Sequence, residues 1–173
     1  TRRINRTLID EFPAILEDIG SWGSNRKSDQ TFEYYLTNEK KISKSALRKV
    51  FSTSDMLKLE RKTFEGLDVT FCCSLLPFIC EGIEKNSKTI NEDRIECQLN
   101  KLKNLRNQVM HEPEGRAIDP MVATAIEVIA EKLLDNAGKL YKIEEDQIQE
   151  AKTRAKQIID DANDMVSREK DEL

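Results

Sequence analysis

The run Leu105-Arg106-Asn107-Gln108-Val109-Met110-His111 holds the only histidine of this 173-residue chain. Arginine grips phosphate oxygens as a planar fork, and histidine has the unperturbed pKa nearest neutrality. With an amide beside them they form a small set for phosphate chemistry. Four residues apart on a helix, Asn107 and His111 are neighbours. Arg106 lies roughly 140° round from His111, at about 100° per residue. The long arginine stem, and fraying before Pro113, close part of that gap. One helix does not build a whole site, whereas two copies facing across a two-fold axis would. The chemistry that suits these groups is attack of an RNA 2′-hydroxyl on its own phosphate, with neither metal nor other cofactor. His111 would be general acid or base, Arg106 would stabilise the charged phosphorane, and Asn107 would orient an oxygen. The negative end of a helix repels phosphate but favours protonated His111, so the general-acid role is the easier one. A surface or C-capping histidine is the plainer alternative.

Charge sets where RNA could touch. The net charge is −4, but residues 1–62 carry 13 Lys/Arg against 9 Asp/Glu, and residues 126–173 carry 8 against 13. A basic footprint covering the whole domain is absent. RNA contact must therefore be local, at Lys101, Lys103 and Arg106. The four cysteines, Cys72, Cys73, Cys80 and Cys97, form no Cys-x-x-Cys pair, and with one histidine they do not suggest a zinc site. Buried, reduced thiols in a cytoplasmic protein are the expectation. No apolar run reaches membrane-span length and no secretory signal opens the sequence. Because the chain starts at Thr1, it is expected to be a fragment of something larger. Lys170-Asp171-Glu172-Leu173 reads as an ER-retrieval signal only if Leu173 is a natural terminus, and a fragment boundary in a charged helix explains it more simply.

The elements that must position this turn read as helices. Ile4, Leu8, Phe12, Ile15 and Ile19 recur at helical spacing, with Pro13 implying a kink or two abutting helices. Residues 21–38 mix Gly, Ser, Asn and aromatics and fit either a packed loop or a short helix. Helical pattern returns at Leu47, Val50 and Phe51, and again near Ser54 with Met56 and Leu57. The stretch 67–80 is nearly all apolar. It reads as the central buried helix, capped by Asp68 and kinked or restarted by Pro77. Thr89 with Glu92 matches a capping box opening the helix of Ile95, Leu99, Leu102, Leu105 and Val109. Pro113 and Gly115 end that helix near His111, and Asp119-Pro120 starts another that could run to the end of the chain, with Gly138 as a weak point. Ile148, Ala151, Ala155, Ile158, Ala162 and Met165 alternate by threes and fours, a heptad seam flanked by charge.

Arg106-Asn107 followed by His111 resembles the signature of the HEPN superfamily, a set of helical nucleotide- and RNA-associated domains. The Leu67-Asp68-Val69-Thr70 opening, Leu75-Leu76, the polar link and Ile95…Leu105 add context. Together they look like the animal branch that includes the HEPN domain of the DAZ-interacting zinc-finger ubiquitin ligase. The resemblance covers about residues 45–135. It implies Arg106, Asn107 and His111 as an RNase triplet and Lys103 as a basic position upstream. It also implies, for many members of that branch, RNA binding or dimerisation without cleavage. Nuclease members often place an acid four residues before that lysine; here the position is Leu99, with Glu96 as a poor substitute.

The expected fold is therefore an all-α, HEPN-like helical bundle over 1–138 with a charged helical extension over 139–173, dispensable for the core and a candidate coiled coil. The expected function is a dimeric RNA-binding module, and a candidate metal-independent endoribonuclease, within a larger signalling or defence protein. The alternative is a non-catalytic dimerisation module. Expected partners are a second copy, RNA, and proteins through the last helix, with no membrane.

Overall fold

The computed structural model describes residues 11–85, 91–111 and 120–171, with the side chains of Met110, His111, Pro120 and several residues after Asp161 outside the description. Every regular element among the described residues is helical. They are α1 (Pro13–Gly23), α2 (Phe32–Tyr34), α3 (Lys44–Val50), α4 (Thr53–Lys58), α5 (Val69–Ile79), α6 (Ile95–His111), α7 (Pro120–Leu140) and α8 (Glu145–Asp171).

Local signals explain the starts. Pro13 sits in the first turn of α1, where its missing N–H costs nothing, so the proline opens a helix rather than bending one. Ser43, Ser52 and Asp68 cap α3, α4 and α5 by accepting from the backbone N–H of Ala46, Asp55 and Phe71. The ambiguous aromatic stretch resolves into α2, capped by Thr31, which widens into a π-helical turn over Tyr35–Glu39. Phe32 from this segment stacks on Phe64 with ring centroids 5.2 Å apart.

Expectations for three segments differ from what is observed. Helix α5 runs through Pro77 and ends two residues later; so close to the end the proline removes little of the backbone ladder. Nor is α5 buried all round. Thr70, Ser74, Pro77 and Phe78 form a half-open face at helical spacing, while Phe71, Cys72, Leu75, Leu76 and Ile79 are buried. Helix α6 starts at Ile95, several residues after the expected capping box. Asn91 instead holds a turn by accepting from Asp93 N, and Gln98 closes it by donating to Glu92 O. Thr89, like Ile4, Leu8, Pro113, Gly115, Asp119 and the end of the Lys170–Leu173 motif, lies outside the described residues.

The third difference concerns the C-terminal segment. Helix α7 ends at Leu140, and Lys142 takes a left-handed φ of 54° that reverses the chain. Helix α8 then lies back on α7 and α1. Ala151, Ala155 and Ile159 are buried in the same core as Leu16, Leu76 and Leu134, and Ile148 is buried beside Gly138. Gly138 is therefore a contact and not a break: a Cβ there would stand 2.4 Å from Ile148 Cδ1. Arg154 reaches Asp18 of α1 at 2.8 Å and Lys152 reaches Asp135 of α7 at 2.6 Å. The described part of the seam read as a candidate coiled coil, Ile148 to Ile158, is used within the chain, with Ile159 more deeply buried than Ile158. The first half of the expected extension is thus core, and the 138/139 boundary falls inside α7.

Candidate functional site

Helix α6 presents its apolar stripe to the bundle: Ile95, Leu99, Leu102, Leu105 and Val109 are all buried against α5 and α7. Its polar residues then fall on two opposite flanks, because successive positions turn by about 100°. One flank faces α7. There Lys101 meets Glu92 at 3.4 Å, and Lys132 shares the same carboxylate at 3.6 Å. Those ammonium groups pull the Glu92 carboxyl below its ordinary range, the hydrogen bond from Lys101 contributing most.

The other flank faces α5 and the segment after it. It carries Glu96, Asn100, Lys103 and Asn107, with Arg106 at its edge. Lys103 and Arg106 are half-buried and Asn107 is exposed. Arg106 Nη1 makes one long hydrogen bond to Asn107 Oδ1, 3.5 Å. Among the described residues neither Lys103 nor Arg106 is ion-paired, while Lys58, Arg94, Lys101 and Lys132 around them all are. Of the three residues expected to touch RNA, Lys103 and Arg106 are brought together and Lys101 is turned away.

The N-terminus of α5 supplies the nearest fixed charge. Asp68 accepts from Phe71 N at 2.8 Å and from Lys58 Nζ at 2.8 Å. Lys58 also donates to Asp55. Burial alone would raise the Asp68 carboxyl; the Lys58 and Phe71 hydrogen bonds outweigh it, and Lys58 and Arg106 add their charge, so the group sits below the usual carboxylate value. The carboxylate of Glu96, only 7 % exposed, is committed elsewhere. It accepts from Glu84 N at 2.6 Å and from Arg94 at 3.2 Å. At the position of the expected upstream acid stands Leu99, whose side chain is core.

His111 is the last residue of α6, and its side chain lies outside the described residues. Its backbone position keeps it four residues from Asn107 on one helix, as the spacing requires. The cysteines are unpaired, and burial pushes the Cys73 and Cys80 thiols up to about 12, which holds them protonated at neutral pH. Among the described residues no three His, Cys, Asp or Glu side chains are grouped to hold a metal, and no helix is long and apolar enough to cross a membrane.

Two participants had no sequence signal strong enough to find them. Lys58 reaches Asp68 only because α4 packs beside the α5 cap. Lys85 lies in a polar connection, yet its ammonium stands 4.0 Å over the Phe78 ring. Glu96 and Lys103, seven residues apart, fall on one face of α6. Compared with known proteins, the chain matches no family model, no curated protein and no solved structure.

Proposed function

We propose that the chain is a HEPN-type RNA-binding module that reads phosphate with Lys103 and Arg106 and completes its site by pairing two copies about α6. One observation carries this reading. Lys103 and Arg106, three residues apart on one flank of α6, have no carboxylate partner among the described residues, while Lys58, Arg94, Lys101 and Lys132 do. Unpaired cations on a rigid helix are available to phosphate at no cost in broken ion pairs. They also offset the negative end of α6 that would repel an anion.

Binding has more support than cleavage. Arg106, Asn107 and His111 remain the triplet that would cleave, with His111 protonating the leaving oxygen. Yet no acid occupies the Leu99 position, and Glu96 is held by Arg94 and Glu84 N. A non-cleaving RNA-binding dimer is the form these residues favour.

The test is RNA binding by anisotropy across a salt series, with light scattering on the same samples. Lys103→Ala and Arg106→Ala should each weaken binding and flatten the salt slope by about one unit, while Lys101→Ala should change little. Light scattering should give twice the chain mass. Equal losses for all three variants, or a strict monomer that still binds, would overturn the reading. Incubation with single-stranded RNA in EDTA then separates binding from cleavage, and His111→Ala must abolish any cleavage seen.

A further inference from the structure

Beyond the phosphate-reading flank, α3 and α5 enclose a groove of about 520 Å³ with no carboxylate in its lining. Phe51, which follows α3, is buried between Phe71 and Phe78, with centroid distances of 5.7 and 5.4 Å, and Leu47 anchors the middle of α3 in the core. One wall is Ile42, ahead of α3, with Ala46 and Val50 four residues apart on the helix, and Val50 is 55 % exposed although apolar. The opposite wall is the half-open face of α5, Ser74, Pro77 and Phe78. Lys85 and Lys103 close the third side.

The charge of that side is only partly compensated. Neither lysine is in an ion pair among the described residues. Two acids, Glu84 and Glu96, border an adjoining pocket that Lys85 and Lys103 also line, and both are engaged by Arg94, at 2.8 and 3.2 Å. Lys41 and Lys49, beside Ile42 and Val50 in the chain, are exposed and add the same sign. An apolar ridge at four-residue spacing accepts the matching ridge of another helix. A rim with more cations than acids selects carboxylates at its edge.

We infer that the α3–α5 groove docks a short acidic amphipathic helix of a partner protein. Its apolar residues would lie between Val50 and Phe78, and its carboxylates would meet Lys85 and Lys103. This goes beyond the RNA reading, because Val50, Phe78 and Lys85 have no part in it. Lys103 serves both, so RNA and the partner helix would compete.

The experiment titrates a synthetic Leu/Glu amphipathic helix into the full isotope-labelled chain and follows amide shifts. A scrambled peptide of the same composition is the control. Shifts should concentrate at Ala46, Val50, Ser74, Phe78 and Lys85, and the scrambled peptide should bind at least tenfold more weakly. Val50→Asp and Lys85→Glu should each weaken binding about tenfold with the thermal melt unchanged, since both side chains are exposed. Arg106→Ala should leave peptide binding intact, which separates this site from the RNA flank. Absence of binding at millimolar peptide, equal binding of the scrambled peptide, or shifts confined to other faces would overturn the inference. So would an RNA oligonucleotide that shifts the same groove residues and resists displacement by the peptide.

Discussion

Gly138→Ala tests the docking of α8 on α7 through a change of sign. In a helix interior, glycine to alanine gains about 1 kcal/mol of propensity. In this chain the new Cβ would stand 2.4 Å from Ile148 Cδ1 and 2.8 Å from Ile148 Cγ1, closer than atoms tolerate. Overpacking of that kind costs about 1–3 kcal/mol. The two effects oppose, so Gly138→Ala alone should be neutral to destabilising by about 2 kcal/mol. Ile148→Ala alone should cost about 2 kcal/mol, the low end for a buried isoleucine, because it sits in the first turn of α8 where the chain can settle. In the Ile148→Ala background the obstruction is gone, and Gly138→Ala should stabilise by about 1 kcal/mol. The cycle thus predicts a coupling of about 1–3 kcal/mol between positions ten apart in sequence. Urea denaturation of the four proteins measures it. If Gly138→Ala stabilises equally in both backgrounds, α8 does not rest on α7 and the account of the C-terminal core is wrong.

Two further outcomes follow from the same packing and electrostatics. Truncation after Tyr141 removes Ile148 and Ile159, each worth about 1.5–3 kcal/mol of burial, and uncovers α7. Against a total of about 5–15 kcal/mol this should abolish or greatly weaken the cooperative melt, and a fully cooperative truncated chain would show that α8 is an appendage. Asp68→Asn keeps a cap for α5 but removes a carboxyl held below its ordinary pKa by Lys58 and Phe71 N. A depressed carboxyl contributes stability that is present above its unfolded value of about 3.9 and is lost as pH falls through the folded value. The melting temperature of the variant should therefore fall less steeply than that of the parent below about pH 4, and parallel acid limbs would contradict the Lys58–Asp68 pair.

The parts of the fold that could be read from sequence are those fixed by local chemistry. Asp68 caps α5 because a carboxylate satisfies an open N–H wherever the helix packs. The α6 stripe from Ile95 to Val109 shows because a 3.6-residue period survives any packing partner. What could not be read depends on non-local contacts. The Phe32 segment is helical because Phe64, distant in sequence, stacks on it. The α8 seam has the spacing of a self-pairing helix, and only the reversal at Lys142 gives it α7 and α1 as partners. For the same reason Lys101 and Lys103, two residues apart, have opposite roles. The period of the helix turns one toward Glu92 and the other to the flank of Glu96, which Arg94 already holds.

That separation also bears on the chemistry. A helix offers phosphate only the cations on its free flank, and Lys101 of α6 is turned to Glu92, which Lys132 of α7 shares. What remains per chain is Lys103, Arg106 and the residues beyond, too little charge to hold RNA strongly at physiological salt. Doubling by a two-fold axis would raise the number of unpaired cations in one cleft without changing the acidic balance of the fold. On the proposed reading, the acidic balance and a paired site are linked. If RNA is held where two free flanks meet, oligomeric state and RNA affinity should fail together when α6 is perturbed.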